Sequence, residues 1–275
     1  MNENNIIGYS ERGIMNAIAY TIGKNVEDLK EFIKLAKTPL ELEDENNISR
    51  FDLYIEHSLS DFGDADMIAL VYYKNYENEE KPKTAIFFEA KVKTYKPKTW
   101  LLKEVYNDFK VNSMVKNENY DGYFSNLYYQ LYAKKLFFEN RKNEDKKLTD
   151  GVDDPLCELI DNKTKKRKIG DNGVVLNLKD KFNKCTQAYY IAIVPEDVKK
   201  GKYVDENNDK VRNLTHIEIE DKNQSKYDNL PFSYIDIHYI TWEAIYDEYV
   251  KKGKKDELEL VFKHNEGQIY GETKK

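Results

Sequence analysis

Two short motifs in this chain could do chemistry together: Gly63-Asp64-Ala65-Asp66 at the head of one apolar run, and Glu89-Ala90-Lys91 at the tail of the next. Carboxylates gathered beside a single lysine repel one another, and burying them as bare charges costs several kcal/mol. A bound divalent cation removes that cost. With oxygen as the only donor type, the cation expected is Mg2+ or Mn2+.

The runs themselves are Met67 to Tyr73 and Ala85 to Phe88, short and rich in β-branched and aromatic residues, which predicts strands. If the polar stretch Lys74 to Lys83 closes an antiparallel hairpin about its midpoint, Asp66 falls opposite Lys91 and Ile68 opposite Glu89. Side chains alternate along a strand, so Asp64 and Asp66 share one face of the first, and Glu89, Lys91 and Lys93 share one face of the second. A competing reading has Asp64 and Asp66 making a turn while Glu89 pairs with Lys91 on a solvated face. Against it stands the apolar run Ala85 to Phe88, which predicts a strand inside the sheet, where a charge needs a reason.

Several elements must position these groups. A helix is predicted over Ser10 to Ile22, capped by Ser10 and stopped by Gly23, with Ile14, Ile18 and Ile22 as its apolar stripe. Glu11 lies on that stripe, where it either reaches the carboxylate pocket or simply faces the helix dipole in the first turn. A second helix is expected over Val26 to Ala36 and a first strand over Phe51 to Leu59. Helical patterns then begin near Thr99 and run from about Phe124 to Phe138, the latter with Gln130 and Lys134 as its notable polar residues. Strands return at Ala188 to Val194 and at Tyr234 to Ile240, and Thr241 caps a helix reaching about Val250.

The organisation is a single domain over residues 1–275 with polar insertions near 140–186 and 197–230. The first insertion carries the basic run Lys163 to Lys168, read either as a phosphate-contacting flap or as a solvated loop, and the second a small hairpin around Leu214 to Glu220. The net charge of −6 is not that of a typical basic nucleic-acid binder, although local patches can still do that work. Cys157 and Cys185 lack the spacing of a zinc site, a cluster or a disulfide framework, which predicts a reducing, cytoplasmic setting. No signal peptide is expected at the polar amino terminus, and no run approaches membrane-spanning length. His57, His216, His238 and His264 sit in no catalytic motif.

A helix bearing Glu11, a strand, Gly63-Asp64-Ala65-Asp66 opening a second strand, Glu89-Ala90-Lys91 closing a third, then helices and further strands: this order resembles the PD-(D/E)XK nuclease superfamily. The resemblance implies an α/β, restriction-endonuclease-like core, a central mixed β-sheet flanked by helices in αβββαβ order. On it Asp66 matches the first metal-binding aspartate, with Asp64 as the competing candidate. Glu89 matches the second acid, Lys91 the lysine, and Glu11 the helix-borne glutamate, while the Ala90 carbonyl completes the metal site. Ala65 stands where the family has proline, and Lys134 stands where a branch with a Gln130-like glutamine would place tyrosine.

What the resemblance implies chemically is Mg2+- or Mn2+-assisted hydrolysis of a phosphodiester, with Lys91 orienting or deprotonating water and countering charge on the phosphorane. Lys93, Lys96 and Lys98 would bind the flanking backbone. The expected partner is nucleic acid, DNA rather than RNA, and the expected role a DNA endonuclease of restriction or mobile-element defence type. Duplex cleavage would call for two active sites and so for a homodimer. The alternative is a catalytically inactive module that binds nucleic acid or protein on the same fold.

Overall fold

The computed structural model describes residues 10–37, 39–42, 45–74, 80–92, 127–141, 150–154, 165–169, 176–195, 235 and 237–269. Two helices lead in: α1 over Ser10–Ile22 and α2 over Val26–Ile33. Gly23 ends α1 by donating its N–H to the Ala19 carbonyl at 2.8 Å, and a Cβ there would stand 2.6 Å from that oxygen, so no other residue fits. Asn25 caps α2 by accepting the Asp28 N–H at 2.8 Å.

Three strands follow as an antiparallel meander: β1 over Ile48–Ser58, β2 over Asp64–Lys74 and β3 over Glu80–Ala90. Helix α3 covers Leu127–Asn140, the hairpin strands β4 and β5 cover Val152–Asp154 and Lys165–Arg167, and α4 covers Leu176–Lys184. Strand β6, Gln187–Val194, then joins the sheet parallel to β3, and β7, Ile237–Thr241, joins parallel to β6. Thr241 accepts the Ala244 N–H at 3.1 Å, capping the short helix α5, Trp242–Ile245, which continues through one wider turn to Val250. Helices α6, Glu257–His264, and α7, Glu266–Ile269, complete the described chain.

The result is an α/β protein built on a five-stranded mixed sheet in the order β1-β2-β3-β6-β7. One face carries Met67, Ala69, Val71, Ile86, Phe88, Ile191 and Ile193 under α1, α2 and the carboxy-terminal helices. The other carries Ile68, Leu70, Ala85, Phe87, Tyr190 and Ala192 under α3 and α4, with Phe87 stacked between Phe182 and Tyr190. Both faces of the central strands are covered, and that is why Met67 to Tyr73 reads as one apolar run instead of an alternation.

The hairpin register differs from the midpoint expectation. Met67 pairs with Phe88 and Ile68 with Phe87, so Glu89 is not opposite Ile68 and Asp66 is not opposite Lys91. Pairing continues out to Lys74 and Glu80, and an irregularity between Val71 and Tyr72 shifts the ladder. The displacement is two residues along the strand. A shift of two preserves strand parity, but the alternation does not run cleanly into the site: Ala65 packs with Ile68 on one face and Met67 with Ala69 on the other. Glu89 meets Lys134 of α3 and Lys91 meets Glu11 of α1, helices on opposite faces of the sheet, so the two do not share the one face expected of them. The helix expected to reach Ala36 stops at Ile33, and the last strand begins at Ile237 instead of Tyr234. The helix expected near Thr99, the hairpin around Leu214 to Glu220, Lys93, Lys96, Lys98, Cys157 and His216 lie outside the described residues. Among the described residues no helix is long and apolar enough to cross a membrane.

Candidate functional site

The site forms where β2 begins and β3 ends. A turn over Ser60–Phe62 delivers the chain to Gly63, whose φ of 82° and ψ of 169° belong to a region open only to glycine, and β2 starts at once with Asp64. The regular ladder between β2 and β3 ends at Met67 and Phe88, and one residue further Asp66 stands across from Glu89. There the Asp66 side chain replaces the backbone as acceptor: its Oδ2 takes the Ala90 N–H at 2.7 Å. Ala90 thus meets the acid through its N–H. Asp64 stays exposed at the first position of β2, paired with Ser58 of β1, and its charge is felt by His57. Of the two candidates it is Asp66 that meets the β3 motif.

Glu11 arrives from the far end of the chain. The Ser10 N–H donates to Oδ1 of the buried Asn265 at 3.2 Å, which pins the start of α1 over the sheet. Glu11 Oε1 accepts from Lys91 Nζ at 3.3 Å, and its Oε2 accepts the Val92 N–H at 3.3 Å. The stripe position therefore carries Glu11 to the β3 motif. Lys91 is held by its backbone as well: its N–H donates to the Ile193 carbonyl at 2.8 Å and its carbonyl accepts the Trp242 indole N–H at 3.0 Å.

A residue outside the two sequence motifs completes the site. Lys134 of α3 forms an ion pair with Glu89 Oε1, and both side chains are 1 % exposed. A signal for it is present in the sequence. Around Lys134, α3 buries Leu131, Tyr132, Ala133, Leu136 and Phe137, and a lysine in so apolar a helix needs a buried carboxylate as partner. One turn earlier, Gln130 leaves its Oε1 buried with no hydrogen-bond partner among the described residues.

Electrostatics follow from this packing. Burial pushes the Glu89 carboxyl up, Asp66 adds to the effect, and Lys134 and Lys91 oppose it, leaving it at about 7. Burial likewise raises Glu11, with Lys91 opposing and Asp66 reinforcing. For Lys91 burial works against the charged form, but Glu11, Glu89 and Asp66 outweigh it and hold the ammonium above its ordinary value. The acids Glu11, Asp66 and Glu89 are thus met by the cations Lys91 and Lys134. Part of the charge balance expected from a metal comes from the protein itself.

Backbone strain collects here too. Ser10, Glu56 and Ser60 are non-glycine residues with positive φ, at 75°, 50° and 56°. Ser10 precedes Glu11, and Ser60 lies in the turn before Asp64. Glu56 sits between the pairs Ile55 with Met67 and His57 with Ala65, hence across β1 from Asp66. Its carboxylate turns to α1, accepting from Asn16 at 3.2 Å and standing 3.7 Å from Arg12. Such conformations cost about 1–3 kcal/mol each and gather at functional sites.

The basic run has a structural part. Arg167 on β5 is buried against Asp154 on β4, which also accepts the Tyr129 hydroxyl at 3.1 Å, and Arg167 donates to the Asp61 carbonyl. Lys168 N–H reaches the Asp61 carboxylate at 2.9 Å, so the hairpin braces the turn that feeds Gly63. Lys163 and Thr164 lie outside the described residues. His238 is buried in β7 against the Tyr189 ring.

Among the described residues no three His, Cys, Asp or Glu side chains stand together as a ready metal cage. Asp66 and Glu89 nonetheless suit an ion such as Mg2+, which takes one or two carboxylates and keeps several waters. Comparisons of the chain with protein-family models, curated proteins and solved structures find no match.

Proposed function

We propose that the chain is a metal-dependent nuclease on a restriction-endonuclease-like core, hydrolysing phosphodiester bonds in nucleic acid. The observation that carries this reading is the convergence of Asp66, Glu89 and Lys91 at the ends of adjacent strands, with Glu11 brought onto Lys91 from α1. The order of helix, three-strand meander, helix and parallel strand supports the same core. Asp66 and Glu89 would hold Mg2+ or Mn2+. The ion would supply polarisation of the phosphate and activation of water.

Lys91 would serve as a cation for the phosphorane oxygens; without metal, Glu11, Glu89 and Asp66 hold its ammonium above the ordinary value against the effect of burial. Glu11 aims it, and the clamped backbone on either side of Nζ limits its wander. DNA is the proposed substrate over RNA, in restriction or mobile-element defence in the cytoplasm, with a homodimer supplying two sites where a duplex is cut.

One observation favours a second reading, an inactive binding module. The Lys134 ion pair counters the Glu89 charge without any metal. The test is incubation of the protein with single-stranded DNA, duplex DNA and RNA in Mg2+ or Mn2+, beside a Lys91→Ala variant. The nuclease reading expects metal-dependent cleavage that falls about 10²–10³-fold in the variant, the loss typical of removing one transition-state cation or donor. No cleavage of any substrate, or equal cleavage by both proteins, overturns it.

A further inference from the structure

Lys134 occupies one oxygen of Glu89, a carboxylate that a cation would need. Its side chain is buried against Glu89 Oε1, and it is delivered by a helix whose neighbouring side chains are apolar. A buried lysine displaced from its carboxylate cannot go unpaired without a large penalty. The same helix offers a place for it. Gln130 Oε1 is buried, accepts no hydrogen bond among the described residues, and lies four residues before Lys134, the spacing at which helix side chains meet.

We infer that Lys134 is a resident counter-ion which a divalent cation must displace from Glu89, and that the unpartnered Gln130 carbonyl receives the displaced ammonium. The two arrangements are alternatives: Lys134 on Glu89 with Gln130 empty, or the cation on Glu89 with Lys134 turned to Gln130. With Glu11, Asp66 and Glu89 set against Lys91 and Lys134, the closed state carries one net negative charge and the open state, with the dication added, one net positive charge. Metal affinity is then lowered by the strength of the Lys134 contact, because every binding event must break it.

The inference rests on the metal-site reading of Asp66 and Glu89, and calorimetric titration of the chelator-treated protein with Mn2+ tests it apart from any cleavage. Lys134→Met removes the competitor while keeping the bulk, and is expected to bind Mn2+ at least about tenfold more tightly than the wild type, ~1.4 kcal/mol. Gln130→Leu removes the receiving acceptor and is expected to bind it several-fold more weakly. Should Lys134→Met fail to fold without metal, Lys134→Gln gives the same comparison with a polar side chain at the site. Equal or weaker Mn2+ binding by the neutral Lys134 variant overturns the inference, even where the wild type cleaves nucleic acid. Tighter binding without cleavage in any variant sustains it and counts against the nuclease reading alone.

Discussion

Replacing Glu89 with glutamine should abolish a pH dependence of stability that the wild-type chain carries. The carboxyl has an ordinary value of 4.5, and burial beside Asp66 raises it to about 7 in the folded protein despite Lys134 and Lys91. A raised acid binds its proton more tightly when folded than when unfolded. Below its unfolded value both states are protonated and nothing is lost; above its folded value the folded chain must hold a charge that burial disfavours. Stability therefore falls as pH rises through the interval between the two values. The gap converts, at ~1.4 kcal/mol per unit, to a loss on the order of 3 kcal/mol. Urea unfolding in chelator, followed from about pH 4 to about pH 8, measures it. The stability difference between wild type and Glu89→Gln should shift by that amount across the window, the wild type losing ground as pH rises. Parallel curves for the two proteins would show that Glu89 is not held in a charge-disfavouring site, and the reasoning about its burial would fail.

Arg167→Met should destabilise the fold by about 3–5 kcal/mol, because it strands the buried Asp154 carboxylate without its cation. Chemical denaturation checks this, and a loss under about 1 kcal/mol would mean the pair is solvated and does not brace the Asp61 turn. Gly63→Ala should cost about 1–3 kcal/mol through backbone strain alone, since φ 82° with ψ 169° excludes a side chain while the added Cβ meets only ordinary contact at Lys134. Thermal melting reads the cost, and an unchanged melting temperature would refute the strained geometry.

Much of the scaffold is legible in the order and spacing of the residues. The helix Ser10–Ile22 has its predicted bounds, because its isoleucine stripe and Gly23 act within a few turns of chain. The strand identities of Met67 to Tyr73 and Ala85 to Phe88 hold for the same local reason. The register itself is not legible. It depends on how far pairing runs, out to Lys74 and Glu80, and on an irregularity at Val71 and Tyr72, neither of which leaves a mark in hydrophobic spacing. The basic run misleads in part, since its composition does not show that Arg167 turns inward to Asp154.

The sequence by itself determined which residues carry charge at the ends of apolar strands: Asp64 and Asp66 opening one, Glu89 and Lys91 closing another, and Glu11 on the buried stripe of a helix. Periodicity is a local property, so it reports which face a side chain occupies and nothing of what covers that face. Only the tertiary structure decided the partners. It turned Asp66 onto the Ala90 N–H, brought Glu11 across 80 residues to Lys91, set β6 parallel beside β3, and drove Lys134 into an ion pair with Glu89. The two motifs therefore describe a carboxylate site with a lysine at its strand end, and packing of α3 against the sheet made it a site with a second, buried lysine. Burial is what gives that difference its weight, because a carboxylate and an ammonium sealed from water must answer each other or a bound ion.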